Sequence, residues 1–353
     1  AGSKGEQGIQ GIQGIQGVQG IKGDVGPVGP AGPTGAAGQS FQVTNSGGVL
    51  PTFSKSIFYH GYSFLNTTDG KLYISDHDSD GGNGGWSQGI DFGRGEVTVT
   101  VPSSYSSAEK TPLIILLHGY GSNGERQDSY LGFSRIADKY NFLLVAPTGT
   151  RESSGRQATF WNATSACCNF QEPSIDDNAY IMGIIERMKE EYNIDSNRVY
   201  LVGHSNGGFM SYQLAYNNSE SIAAIVSLAG ASHADERAAP KNPVHVLQIH
   251  GTDDSTIRYE GGDILGNDYP GAKESVIQWA EYNQCTDEGV ERELRDLESS
   301  LEGHESSVLL YNNGCQEGGS SELWTISEGS HVPRVSESFS SQVVEWLYDH
   351  PKI

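Results

Sequence analysis

Basic side chains are scarce in this sequence: 22 lysines and arginines stand against 44 aspartates and glutamates, a net charge of −22 over 353 residues. A chain this acidic is repelled by nucleic-acid backbones and anionic membrane surfaces, which argues against both as partners. No run of about 18 apolar residues occurs, so no segment is suited to span a bilayer as a helix. No signal-peptide pattern is visible, and Ala1 stands inside a repeat, which suggests a processed or trimmed start. Cysteine is also sparse. Cys167, Cys168, Cys285 and Cys315 show no zinc-ligand spacing.

Glycine, by contrast, is abundant, with 46 residues, and the excess is concentrated at the front. It recurs at every third position from Gly2 to Gly38, with Pro27, Pro30 and Pro33 each directly following a glycine. Only glycine fits the crowded axis of a triple helix, so residues 1–38 read as a collagen-like Gly-X-Y stalk, roughly 110–120 Å long if fully wound. Such a stalk implies a homotrimer. Residues 39–60, rich in Ser, Thr, Asn and Gly, read as a linker. With an extracellular-type stalk, an even cysteine count favours disulfides and a secreted or cell-surface location. Cys285 follows a helical pattern and Cys315 a strand pattern, and these two are expected to pair. The adjacent Cys167 and Cys168 form either a vicinal bridge or two buried thiols.

From residue 61 to 353 the pattern alternates. Short apolar strands are expected at 97–101, Leu113–Leu117, Phe142–Ala146, Val199–Val202, Ala223–Leu228, Val244–Ile249 and 322–327. Helical periodicity covers 127–140, Ile175–Tyr192, Ser205–Tyr216, 272–283 and 338–348. Short apolar strands alternating with helices imply an α/β domain with a mostly parallel, doubly wound sheet.

Strand Val199–Val202 runs directly into Gly203-His204-Ser205-Asn206-Gly207, after which a helix begins. This is G-x-S-x-G in the setting its chemistry requires, a sharp strand-to-helix turn that exposes the serine hydroxyl. The helix N-terminus that follows favours developing negative charge. Ser205 is therefore the candidate nucleophile.

The run Gly203–Tyr212 (GHSNGGFMSY) resembles the polyhydroxybutyrate depolymerase/feruloyl esterase family of α/β-hydrolases. So do Leu117-His118-Gly119-Tyr120-Gly121, Phe160-Trp161-Asn162-Ala163, Cys167-Cys168, His250-Gly251-Thr252-Asp253-Asp254 and Gly329-Ser330-His331. The likeness covers about residues 94–350. It implies an α/β-hydrolase fold and hydrolysis of carboxylic esters, aromatic esters or polyesters, without a cofactor.

A serine nucleophile needs a base and an acid to orient it, and in this fold the chain order is Ser, Asp or Glu, His. His331 lies in a turn between the last strand and the last helix, where a loop-borne base belongs, and the resemblance points to it as well. The acid should follow strand Val244–Ile249, where Asp253 and Asp254 both occur, and the family pattern His-Gly-Thr-x-Asp aligns its carboxylate with Asp254. His250 reads as a packing or loop-shaping residue, His233 and His245 as structural, and His304 as exposed. Oxyanion donors are expected from the backbone N–H groups of Asn206 and Tyr120. Tyr120 and Trp161 are the aromatic candidates for the substrate pocket, with Trp161 equally readable as core.

Asp76-His77-Asp78-Ser79-Asp80-Gly81 has the spacing of a calcium loop, with Asp76, Asp78 and Asp80 as ligands. The twelfth position is Ser87 rather than Glu, so an acidic surface loop is the preferred reading. The run 287–305 reads as a solvated acidic segment. Two other functions compete with the ester hydrolase: a collagen-like adhesion protein with a catalytically silent hydrolase-fold module, and a peptidase.

Overall fold

Apolar residues at successive positions of one strand point to opposite faces, so a strand that is apolar throughout must be covered on both. In the computed structural model, which describes residues 63–65, 72–75 and 86–353 except 154, 170–173 and 287, this is the case for Thr111–Leu117. Leu113, Ile115 and Leu117 join one core cluster, together with Ile181, Ile184 and Trp279, while Ile114 and Leu116 join another with Phe133, Val343 and Leu347. Helices Asp177–Glu191, Asn206–Asn217 and Ala272–Tyr282 contribute to the first face, and Phe133–Tyr140 and Phe339–Tyr348 to the second.

Six parallel strands form the centre, in the spatial order Leu143–Val145, Thr111–Leu117, Ile194–His204, Ala224–Leu228, His245–Gly251 and Ser320–Ile326. Antiparallel strands extend both sides. Glu96–Val101, Trp86–Asp91, Leu72–Ser75 and Ser63–Leu65 follow one after another beyond Leu143–Val145, and Ser306–Tyr311 and Val290–Arg295 lie beyond Ser320–Ile326. The parallel sheet expected from the alternation is thus the middle of a larger mixed one. The Gly-X-Y repeat of 1–38, the linker of 39–60 and the calcium candidates Asp76, Asp78 and Asp80 lie outside the described residues. Among the described residues, no helix is long and apolar enough to cross a membrane.

Two expectations need correction. The helical pattern of 127–140 is two helices, Gly124–Leu131 and Phe133–Tyr140, separated by Gly132 at φ 73°. This left-handed conformation suits glycine and ends a helix. The Asp128 side chain then accepts from Ser134 N–H at 2.9 Å, securing the start of the second helix. The acidic run of 287–305 is not merely solvated. It contains an edge strand, Val290–Arg295, and beyond it Leu297 and Glu298 are buried.

Cys285 is bonded to Cys315, joining the end of helix Ala272–Tyr282 to the segment after Ser306–Tyr311, and Cys167 is bonded to Cys168.

Candidate active site

Strand Ile194–His204 ends where Ser205 turns the chain into helix Asn206–Asn217 with φ 53° and ψ −120°. A non-glycine residue in this region costs on the order of 1–3 kcal/mol and is retained where the surroundings impose it. Here they do. Ser205 N–H donates to Leu228 O at 2.8 Å, holding the turn against the neighbouring strand. The flanking glycines are required by space: a Cβ on Gly203 would lie 2.0 Å from Gly207 O, and one on Gly207 would lie 2.2 Å from Leu117 O.

Ser205 Oγ donates to His331 Nε2 at 2.9 Å, and His331 Nδ1 donates to Asp254 Oδ2 at 2.7 Å. Three residues separated by up to 126 positions therefore form one hydrogen-bonded line. Asp254 and His331 are brought together because the loops after the last two parallel strands interlock. Thr252 N–H donates to Ile326 O at 3.0 Å, Asp253 N–H to Gly329 O at 2.9 Å, and Glu328 N–H to Thr252 Oγ1 at 2.8 Å. Asp253 itself is exposed.

Asp254 is buried and takes four donors. Thr256 N–H and Ile257 N–H reach Oδ1 at 2.8 and 2.9 Å, while Oδ2 faces His331 and also His250 Nε2 at 3.2 Å. Burial alone would raise its pKa, but the hydrogen bonds from His250, His331 and Ile257 outweigh it and hold the carboxyl below the usual range.

Several positioning groups were not assigned from sequence. His250, expected to pack or shape a loop, also reaches Asp254. Its Nδ1 accepts from Gln248 Nε2 at 3.0 Å, so its Nε2 carries the proton, which is directed to Ile257 O at 2.7 Å and to Asp254. Gln248 in turn accepts from Tyr212 OH at 2.9 Å. A glutamine between Leu247 and Ile249, in a strand buried throughout, was the available signal. The loop that carries His331 is held at three points: His204 Nε2 donates to His331 O at 2.9 Å, Tyr130 OH donates to Pro333 O at 2.8 Å, and Arg334 N–H donates to Glu298 Oε2.

The turn expected to supply oxyanion donors lies against Ser205, since a Cβ on Gly119 would sit 3.3 Å from Ser205 Cβ. His118 fixes that turn. Its Nε2 accepts from Gly149 N–H at 2.9 Å, which leaves Nδ1 to donate to Gly119 O at 2.8 Å. Asn206 is the first residue of its helix, where backbone N–H groups have no partner within the helix. Its side chain ties the helix to the 160s loop: Oδ1 accepts from Trp161 N–H at 2.7 Å and Nδ2 donates to Trp161 O at 2.9 Å.

The two aromatic pocket candidates separate. Tyr120 is 38% exposed and lines a cleft of about 1090 Å³. Trp161 is fully buried, its indole N–H donating to His118 O at 3.0 Å, and it does not line that cleft. Of its two readings, Trp161 takes the core one, supporting the turn from beneath. The indole nitrogen needs an acceptor once buried, and His118 O supplies it.

Buried histidines add a pH dependence. Burial pushes His118, His204 and His233 down to about 4 and His245 to about 3. Unfolded histidines titrate near pH 6.5, so between about pH 6.5 and 4 the unfolded chain holds protons that the folded one does not, and stability is lost as pH falls. Thermal unfolding measured from pH 7 to 4.5 should show a falling midpoint, with uptake of up to about four protons per molecule near pH 5. A midpoint that stays level or rises through that window would contradict it.

Comparison with known proteins adds a family. The family model described as Phospholipase/Carboxylesterase matches residues 102–305, a stretch that holds Ser205 and Asp254 but ends before His331. Among curated relatives, the bifunctional acetylxylan esterase/xylanase XynS20E of Neocallimastix patriciarum is 31% identical over 165 residues, 47% of this chain and 22% of that protein. Feruloyl esterase B of Piromyces equi is 25% identical over 246 residues, 67% of this chain and 42% of that protein. The chain thus spans less than half the length of these relatives. Among solved structures, the acetyl xylan esterase from Aspergillus awamori superposes with a TM-score of 0.52 at 15% identity, covering 74% of this chain and 98% of that one, a likeness of fold.

Proposed function

Since this chain belongs to the phospholipase/carboxylesterase family, we propose that it is a serine esterase that cleaves carboxylic esters through an acyl-enzyme on Ser205. The observation that carries this reading is the unbroken line from Ser205 Oγ through His331 to the buried Asp254 carboxylate.

In this mechanism His331 Nε2 takes the hydroxyl proton as Ser205 Oγ attacks the ester carbonyl, and Asp254 keeps the imidazole in the tautomer whose Nε2 can accept it. The tetrahedral oxyanion is met by backbone N–H groups of Asn206 and Tyr120, each such donor being worth about 3 kcal/mol in the best-measured cases. His331 returns the proton to the departing alcohol. Water, deprotonated by the same imidazole, then attacks the acyl-enzyme and releases the acid. No step requires a metal or cofactor.

For the substrate, the relatives named as feruloyl and acetylxylan esterases support esters carried on plant polysaccharide. Short polyesters are the other class. The two disulfides favour an extracellular setting, where such bonds persist. Turnover of methyl ferulate, acetylated xylan, hydroxybutyrate oligomers and terephthalate esters checks the reading. Hydrolysis of at least one is expected, with a clear preference. Inertness toward all of them, together with inertness toward p-nitrophenyl acetate, would remove the esterase proposal.

A further inference from the structure

The cleft beside Tyr120 has a composition at odds with the rest of the molecule. In a chain of net charge −22, its wall carries Arg126, Arg135, Arg151 and Arg156, all exposed. None of these four forms an ion pair among the described residues, whereas Arg94, also on the wall, is paired with Asp177. Among the described residues the acidic lining is Glu96, Glu125 and Asp128, and Asp128 is engaged by Ser134 N–H. Unpaired guanidiniums facing a shared space are suited to a planar oxyanion, which they grip through paired N–H donors.

The cleft meets the turn beside Ser205 at Tyr120 and Gly121, and two of the arginines are fixed to that turn. Arg151 lies on the small hairpin Thr150–Arg151/Thr159–Phe160, directly opposite Thr159. That hairpin is clamped to the turn beside Ser205: Gly121 N–H donates to Thr159 O at 2.8 Å and Thr159 Oγ1 donates to Ser122 O. Tyr120 OH donates to Glu152, whose other oxygen accepts from Ala158 N–H at 3.2 Å. Arg156 lies in the loop between the two hairpin strands, and its charge is felt at the Tyr120 phenol. Arg151 and Arg156 are therefore tied through this hairpin to the expected oxyanion turn.

We propose that this cleft is a carboxylate-binding subsite, so that the preferred substrates are esters bearing a free carboxylate away from the bond that is cut. The inference rests on the esterase reading of Ser205 and adds a substrate class to it. Two sources supply that chemistry, the terminal acid of a partly hydrolysed polyester and a uronic acid on a polysaccharide.

The test compares matched esters: a hydroxybutyrate dimer as free acid against its methyl-capped form, and acetylated xylo-oligosaccharides with and without a uronic acid branch. The wild-type protein should favour the acid member of at least one pair, and which pair responds identifies the source. In the variant Arg151→Gln/Arg156→Gln the acid-to-neutral ratio of kcat/KM should fall about 5–10-fold, the scale of two solvent-exposed charge contacts. Raising salt from about 0.05 to 0.5 M should shrink the wild-type ratio by screening. The neutral member of each pair reports whether the variant is folded and active. The subsite is overturned if wild type shows no preference in either pair, or if the variant slows both members by the same factor. Absence of turnover of every ester by wild type would instead overturn the esterase reading, and this inference with it.

Discussion

Ser205→Ala is expected to lower kcat on any ester that the protein hydrolyses by about 10⁴–10⁶-fold, the range seen when the nucleophile of such a triad is removed. The substitution deletes one oxygen and keeps a Cβ, so the backbone strain at φ 53° is the same in both proteins. The thermal midpoint should therefore stay within about 2 °C of the parent, as for a substitution that leaves packing and caps intact. This pairing of a large kinetic loss with an unchanged midpoint separates chemistry from folding. A variant that still turns over p-nitrophenyl acetate at the parental rate would place the nucleophile elsewhere. Mass spectrometry of quenched parent protein should also show acyl addition on the peptide containing Ser205, absent from the variant.

Asp254→Asn is expected to cost about 10⁴-fold in kcat, and the structure gives the reason. Thr256 N–H and Ile257 N–H both donate to Oδ1, so the amide oxygen of an asparagine must stay there. Its NH₂ then takes the place of Oδ2 and donates to His331 Nδ1. The imidazole is forced into the tautomer with the proton on Nε2, facing Ser205, where it cannot accept the hydroxyl proton. The same NH₂ also confronts the Nε2 proton of His250, whose other nitrogen is committed to Gln248. Two donors left face to face in a buried site should cost on the order of 1–3 kcal/mol of stability, visible as a lower thermal midpoint. The exposed Asp253 is the internal control, and Asp253→Asn should change kcat less than about twofold, as expected of a surface substitution. If the Asp253 variant were crippled and the Asp254 variant active, the acid would be misassigned.

Much of the fold was legible because its signals are local. The apolar runs at Leu113–Leu117 and Val199–Val202 are too short for helices and too uniformly apolar for a solvated sheet, and both are central parallel strands. Gly132 marked a helix break that periodicity alone passed over, since the apolar spacing continues on its far side. The edge strand Val290–Arg295 was hidden because five of its six residues are exposed and four are charged, so it shows no buried face. His250 and Gln248 were hard to assign because a polar residue in a buried strand reveals that it has a partner but not which one.

The sequence by itself determined the alternation that makes a parallel sheet and the strand–turn–helix signature around Ser205. It also set the glycines that this turn requires, because each depends on neighbours within a few residues. Only the tertiary structure decided which of two adjacent aspartates faces His331, that Trp161 supports the turn from the core while Tyr120 reaches the cleft, and that four arginines without an ion pair among the described residues share one wall. Those facts depend on distances between segments far apart in the chain. Such distances are set by how the strands order themselves in the sheet and how the loops at their ends interlock, which no local pattern encodes.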